Sequence, residues 1–390
     1  MQSLVQMYKE GGWMPIFPCW NSYTAAMIGD HASAAIADAY VKGIRNFDAA
    51  KAYEGMRLNA FSTPYLAKDY RDGKGRRAIR SYMDNGYIPL EDMVEEAFHT
   101  NEQTSRTLEY AYDDYAVAQM AKALHDSCQD AALRQKYLED YNDLMRRSEN
   151  WRNVINPATG WADGRYENGK WENNEDLVHR KSYITEGATC HYTWYVPQNP
   201  EGLFEVIRNS KPMDKQEKQI EKAERKMEKK GETPVRNEKV IARLDKMFDN
   251  GWYWHGNEPC HQVAYLYDAA GAPEKTQERV HHILQTEYND TPGGLSGNDD
   301  AGQMSAWYVF SSIGFYPVCP GTPYYYIGTP SFDKVTLNLE NGRKFILSAD
   351  RQHMDDYLIQ SVTLNGKPLA DYRLSHQQIL SGGELHFQMK

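Results

Sequence analysis

Three stretches set carboxylates, amides and histidines against glycine or proline in ways that packing alone does not require. The first, Gly293 to Pro317, reads G-G-L-S-G-N-D-D-A-G-Q-M-S-A-W-Y-V-F-S-S-I-G-F-Y-P and places Asp299 and Asp300 side by side after a glycine-rich turn. An acid at a helix start is held as the anion by free amides and the helix dipole. That serves simple capping as well as it serves a general base or a calcium ligand. The second is His255-Gly-Asn-Glu-Pro-Cys-His261. Asn257 and Glu258 offer oxygen donors that suit a hard cation, and His255 and His261 suit contacts to hydroxyl groups. The third, Tyr183-Ile-Thr-Glu-Gly-Ala-Thr-Cys-His-Tyr-Thr-Trp194, puts Glu186 before a glycine among Tyr, His and Trp. Partly apolar surroundings raise a carboxylic acid's pKa and keep it protonated, as a general acid must be.

The elements that must carry these residues are helical up to about residue 316. Leu4, Val5 and Tyr8 fall on one side of an amphipathic helix at the chain's start, which reads like the middle of a larger protein. Met27–Lys42 shows helical spacing and ends at Gly43, a C-cap. Thr104–Leu124 turns Leu108, Ala111, Tyr112, Tyr115, Met120 and Leu124 inward. Further helices fit 135–147, 238–248, 259–269, 273–286 and 301–312, with proline near their starts or glycine beyond their ends. Proposed site residues thus fall at loop-to-helix junctions. The long Ile155–Thr185 loop holds Trp161, Tyr166 and Trp171, which argues for order and function. Residues 211–239 read as a charged helical insertion ended by Gly231 and Pro234, either a surface insertion or a mobile lid. After Pro317 the period becomes two. Lys334–Glu340, Asn341-Gly342 and Arg343–Leu347 form a hairpin, followed by strands at 359–364 and 384–388. So few strands are expected to leave Val335, Leu337, Phe345 and Leu347 on an uncovered face, awaiting partners elsewhere.

Composition narrows the function. A net charge of −10 argues against nucleic acid as a partner, while 28 tyrosines suit a ligand with both apolar faces and hydroxyls, such as a sugar. Cys19, Cys128, Cys190, Cys260 and Cys319 are widely spaced, without the pattern of a disulfide framework or a zinc site. No apolar run has transmembrane length, and the first residues lack the basic start and apolar segment of a signal peptide.

The runs G-N-D-D-A-G-Q-M-S-A-W-Y-V-F-S-S-I-G-F-Y-P-V, H-G-N-E-P-x-H-Q-x-A-Y-L-Y and E-G-x-x-x-x-Y-T-W-x-V-P resemble glycoside hydrolase family 92, the calcium-dependent exo-α-mannosidases. The segments M-I-G-D-H-A-S-A-A-I-A-D-A-Y-V-K-G-I and S-R-T-L-E-Y-A-Y-D-D-Y extend the resemblance over most of the chain. It implies a mainly α fold, an α/α toroid of six-hairpin type over residues 1–316, then a small antiparallel β region at 317–390 belonging to a β-sandwich. It implies Glu186 as general acid and the pair Asp299/Asp300 as base. Asn257, Glu258 and Asp300 are the implied calcium ligands, and His191, His255, Asn257, Glu258 and His261 the substrate contacts. The implied reaction is inverting removal of terminal α-linked mannose, α-1,2 favoured, from N-glycan or mannan chains. Inversion needs one protonated and one ionised carboxyl about 6.5–9.5 Å apart, with room for a water. The family pattern also has an N-terminal β-sandwich, expected here on another chain or lost, and tryptophan and glutamine where this chain has Cys190 and His191. The resemblance implies a periplasmic or secreted protein. An α/α-toroid glycosidase of other specificity, or an inactive or sugar-binding fragment, are the competing expectations.

Overall fold

The computed structural model describes residues 1–20, 22–94, 97–369 and 371–390. They fold as two compact units. The first comprises Met1–Asn199 with Cys319–Thr322, and the second Pro200–Val318 with Pro323–Lys390. The change from helix to strand near Pro317 therefore falls within the second unit. Among the described residues no helix is long and apolar enough to cross a membrane.

In the first unit the helix Gln103–Ser127 packs against Ala131–Arg147, His31–Val41 and Ala49–Phe61. Leu108, Ala111, Tyr112, Met120 and Leu124 are buried, as their spacing predicts. In the helix Gln2–Gly11, Val5 and Tyr8 face the core. The helix expected from Met27 begins only at His31 and ends where Gly43 adopts φ 89° and donates to the Tyr40 carbonyl.

Periodicity gave no sign of the charge inside this unit. Arg76, fully buried, bridges Asp30 at 3.0 Å and Asp114 at 2.6 Å, and Arg147 reaches Asp114 at 2.9 Å. Both oxygens of Asp30, Asp113 and Asp114 accept hydrogen bonds, which offsets the cost of taking these carboxylates out of water. Burial still raises Asp30 to about 6, with Arg76 opposing and Asp113 adding to the rise.

The second unit contains the helices Pro200–Asn209, Lys215–Lys229, Glu238–Asp249, Pro273–Thr286 and Gln303–Ile313. The helix expected over 259–269 is instead two 3₁₀ turns, Glu258–Cys260 and Val263–Tyr265, before a short helix Leu266–Ala270. Side chains take the carbonyls an α-helix would use: Gln262 donates to Pro259 and Trp307 to His261, each at 2.9 Å. The charged insertion is anchored rather than wholly solvated. Glu217 of the helix Lys215–Lys229 is buried and receives two 3.0 Å bonds from Arg243.

The C-terminal strands make a five-stranded sheet in the order 334–338, 344–350, 383–389, 359–364, 367–368. Its pairs are antiparallel except for 344–350 with 383–389, which run parallel. The Asn341-Gly342 hairpin forms, and Asn365-Gly366 turns with φ of 51° and 75°. The expectation of an uncovered apolar face is corrected. Phe345 and Leu347 are buried against Phe315, Tyr325, Ile327 and Leu374 of a second, three-stranded sheet. Val335 and Leu337 pack on the same core, half-buried. Strands of two to four residues build that second sheet, too short to announce themselves by alternation.

Candidate active site

Glu186 belongs to the first unit, on a turn fixed from several sides. The buried Asp163 accepts from the Gly164 and Asn173 amides at 2.9 and 3.0 Å and from Asn156 at 3.1 Å, ordering the loop that leads to it. Thr185 donates its amide to Ser105 Oγ at 3.0 Å, and their hydroxyls meet at 2.9 Å. Glu186 itself adopts φ 54°, the left-handed region that disfavours side chains. Tyr183, Ile184, Thr185, Gly187 and Ala188 are buried while Glu186 is exposed. The partly apolar enclosure expected for its carboxyl is thus not present; a buried collar presents it outward. His191, half-buried, accepts the Ala188 amide on Nδ1 at 3.1 Å. Cys190 is buried, and desolvation pushes its thiol up to about 12.

Asn257, Glu258, Asp299 and Asp300 belong to the second unit, where two glycines let their loops cross backbone to backbone. A Cβ on Gly297 would lie 2.5 Å from Gly256 Cα, and one on Gly256 would lie 2.5 Å from the Ser296 carbonyl oxygen. Asp299 Oδ1 accepts from the amide and hydroxyl of Ser305, both at 2.9 Å, so this side chain caps the helix Gln303–Ile313. Asp300 is exposed, and with Ala301 and Gly302 forms three consecutive residues at positive φ. This run moves the helix start from the expected Ala301 to Gln303.

The two histidines are reassigned. His255 is 1% exposed; its Nδ1 meets Tyr253 Oη at 2.7 Å and its Nε2 meets Tyr288 Oη at 2.6 Å. Tyr288 donates onward to the Met304 carbonyl, so His255 carries its proton on Nε2 and accepts from Tyr253 on Nδ1. His261 donates from Nε2 to the His255 carbonyl at 2.9 Å and accepts from Gln303 at 3.3 Å. Both rings are consumed by protein contacts and packed against Trp307, so neither presents itself to a hydroxyl ligand as expected. Burial lowers His255 to about 2, helped by His261. It lowers His261 to about 4, against the His255 carbonyl and Asp300. Gln303 and Tyr316 join this group, 3.2 Å apart; burial raises the Tyr316 phenol, against the Gln303 bond, and Glu258 adds to the rise. The sequence reading passed over both. Their signal was a lone amide after Gly302 and a tyrosine within the aromatic run.

In the first unit the reading also missed His31, whose Nδ1 meets Asp113 at 2.8 Å and Nε2 meets Glu109 at 3.3 Å. The His31 side chain stays 46% exposed, so loss of water opposes its charge only in part, and Asp113 and Glu109 hold its pKa well above the usual histidine range. A proton NMR titration between pH 5 and 8 is therefore expected to find the imidazoles of His255 and His261 neutral and that of His31 still charged at pH 7. Movement of the His255 resonances in that window would reverse the assignment to the scaffold.

Asn257, Glu258 and Asp300 suit calcium in chemistry, since they bring amide and carboxylate oxygens and no thiolate. Among the described residues no three His, Cys, Asp or Glu side chains gather where they could hold a metal ion.

Comparison with known proteins places the chain. It is 30% identical over 99% of its length to an uncharacterized secreted glycosidase of Arthroderma benhamiae, covering 48% of that protein. The GH92 α-mannosidase BT3965 of Bacteroides thetaiotaomicron superposes with a TM-score of 0.81 at 33% identity, over 100% of this chain and 46% of that one. The inverting GH92 mannosidase BT2199 of the same organism gives 0.81 at 32%, over 100% and 49%. The chain spans about half the length of the relatives it matches. Its fold class is the mainly α, α/α-toroid type with a β region found in those structures. The model of the glycosyl hydrolase family 92 catalytic domain matches residues 1–390, and the chain belongs to that family.

Proposed function

We propose that this chain supplies the catalytic centre of an exo-acting, inverting α-mannosidase that removes terminal mannose, α-1,2-linked by preference, from N-glycan or mannan chains. The observation that carries this reading is the crossing at Gly256 and Gly297, which sets an amide–carboxylate pair beside an aspartate pair in a family 92 chain. Inversion is supported by the description of BT2199 as an inverting mannosidase.

In this reading Glu186 protonates the leaving glycosidic oxygen as the C1–O bond breaks. Asp300, exposed on its strained turn, takes the proton of the water that bonds to C1 from the opposite face. Asp299 keeps that turn in place through Ser305. Asn257, Glu258 and Asp300 would hold calcium, with water and substrate completing its usual six to eight oxygens. When bound, the ion supplies charge and orientation to two mannose hydroxyls.

The test is hydrolysis of an aryl α-mannoside and of α-1,2-mannobiose, with calcium and after chelation, followed by NMR of the first product. β-Mannose should appear first, and activity should fall on chelation and return with calcium. α-Mannose as first product would refute inversion, and unchanged activity after thorough chelation would remove the ion. Mannose binding without hydrolysis would favour the sugar-binding alternative.

A further inference from the structure

We infer that Glu109 and His31 are positioning residues for the turn that carries Glu186, acting through Tyr192 of the short helix that follows it. The inference rests on the reading of Glu186 as the general acid. All of these residues lie in the first unit. Glu109 sits one turn beyond Ser105 on the helix Gln103–Ser127 and is 6% exposed. Its Oε1 accepts the Tyr192 hydroxyl at 2.9 Å, and its Oε2 meets His31 Nε2 at 3.3 Å. Tyr192 closes the helix Thr189–Tyr192, which begins three residues after Glu186, and Thr185, the residue before Glu186, is bonded to Ser105, one turn earlier than Glu109 on the same helix.

A buried carboxylate in this position needs a reason. Tyr192 is buried and belongs to the short helix Thr189–Tyr192 that follows the acid turn, so its ring alone would pack without a charge beneath it. Glu109 holds the hydroxyl at one orientation and so fixes the helix that follows the acid turn. His31 completes the arrangement by balancing the charge of Glu109, while Asp113 fixes its other nitrogen at 2.8 Å. Space is tight there: a Cβ on Gly29 would collide with both Glu109 and His31. Glu186 sits at φ 54°, a conformation that the surrounding structure must impose. The path from His31 to Tyr192 braces the turn on its C-terminal side, and Ser105 holds Thr185 on its N-terminal side.

Leaving-group chemistry separates positioning of an acid from general structural support. α-Mannosyl fluoride leaves without a proton from an acid, whereas mannobiose needs one. Tyr192→Phe removes a single oxygen, Glu109→Gln keeps shape while removing charge, and His31→Gln removes the counter-charge. Each is expected to lower kcat on mannobiose, Tyr192→Phe and Glu109→Gln by roughly tenfold or more and His31→Gln by less, because small displacements of a reacting group are costly. KM, and the rate on the fluoride, should stay within about threefold. Glu186→Gln, measured alongside, should show the same selectivity in stronger form. Equal losses on both substrates, or no loss on either, in Tyr192→Phe and Glu109→Gln beside a selective Glu186→Gln would overturn the positioning role alone. A Glu186→Gln variant without selectivity would overturn the acid assignment and this inference with it. Thermal unfolding of each variant identifies any that fails to fold, and Tyr192→Phe then decides.

Discussion

Glu186→Gln is expected to reduce the rate on mannobiose by about 10²–10⁴-fold, the range that a positioned general acid contributes. The side chain is exposed, so the change removes no core packing, and glutamine has the size and hydrogen-bonding reach of glutamate. It cannot deliver a proton to a sugar alkoxide. The left-handed backbone at this position disfavours both residues alike, and the Ser105–Thr185 bonds that hold the turn do not involve the substituted group. A loss of rate should therefore come with an unchanged thermal unfolding midpoint. A change of less than about threefold would make Glu186 a residue of the turn and nothing more. Measured rates on substrates of graded leaving-group acidity sharpen the reading, because the loss should shrink as the leaving group needs less help.

Most of the helical part was legible because its apolar residues recur at the helical period, as Leu108, Ala111, Tyr112, Met120 and Leu124 show. The same helix carries what periodicity cannot reveal. Glu109, Asp113 and Asp114 would be solvent-facing by pattern, yet all three are buried, because Arg76, Arg147 and His31 arrive from distant parts of the sequence to meet them. Partners separated by that many residues leave no local trace. His255 and His261 failed for a related reason. Their types suit ligand contacts, but Tyr253, Tyr288 and Gln303 consume their nitrogens, and only the fold brings those groups in. The stretch after Pro259 has helical spacing and still forms 3₁₀ turns, since side-chain donors compete for its carbonyls. At the aspartate pair the capping reading holds for Asp299, through Ser305, while its neighbour Asp300 is exposed.

Gly297→Ala should lower activity on the order of 10²-fold, although it adds one methyl group remote from the breaking bond. Gly297 does not adopt a positive φ, so the cost does not come from its own conformation. It comes from Gly256, whose Cα would stand 2.5 Å from the new carbon. Backbone meets backbone there, and no flexible side chain can swing away. The loops must part until the contact reaches an ordinary van der Waals separation, close to 1 Å further apart. That displacement separates Asn257 and Glu258 from Asp299 and Asp300, and a misplacement of this size costs about 10²-fold when reacting groups must be aligned. Gly293→Ala supplies the control: it lies in the same glycine-rich turn, lacks positive φ and has open space where its Cβ would go. It should leave the rate within about twofold of the parent, as surface substitutions usually do. Gly256→Ala should reproduce the loss, since it presses on the Ser296 carbonyl from the opposite side of the same crossing. Combining it with Gly297→Ala should cost less than the product of the two, because the first methyl already opens the contact that the second would strain. Multiplicative losses would place the two glycines in separate roles. Retention of more than about a third of the activity by Gly297→Ala would mean that catalysis tolerates the loops apart, and would remove the observation on which the proposed function rests.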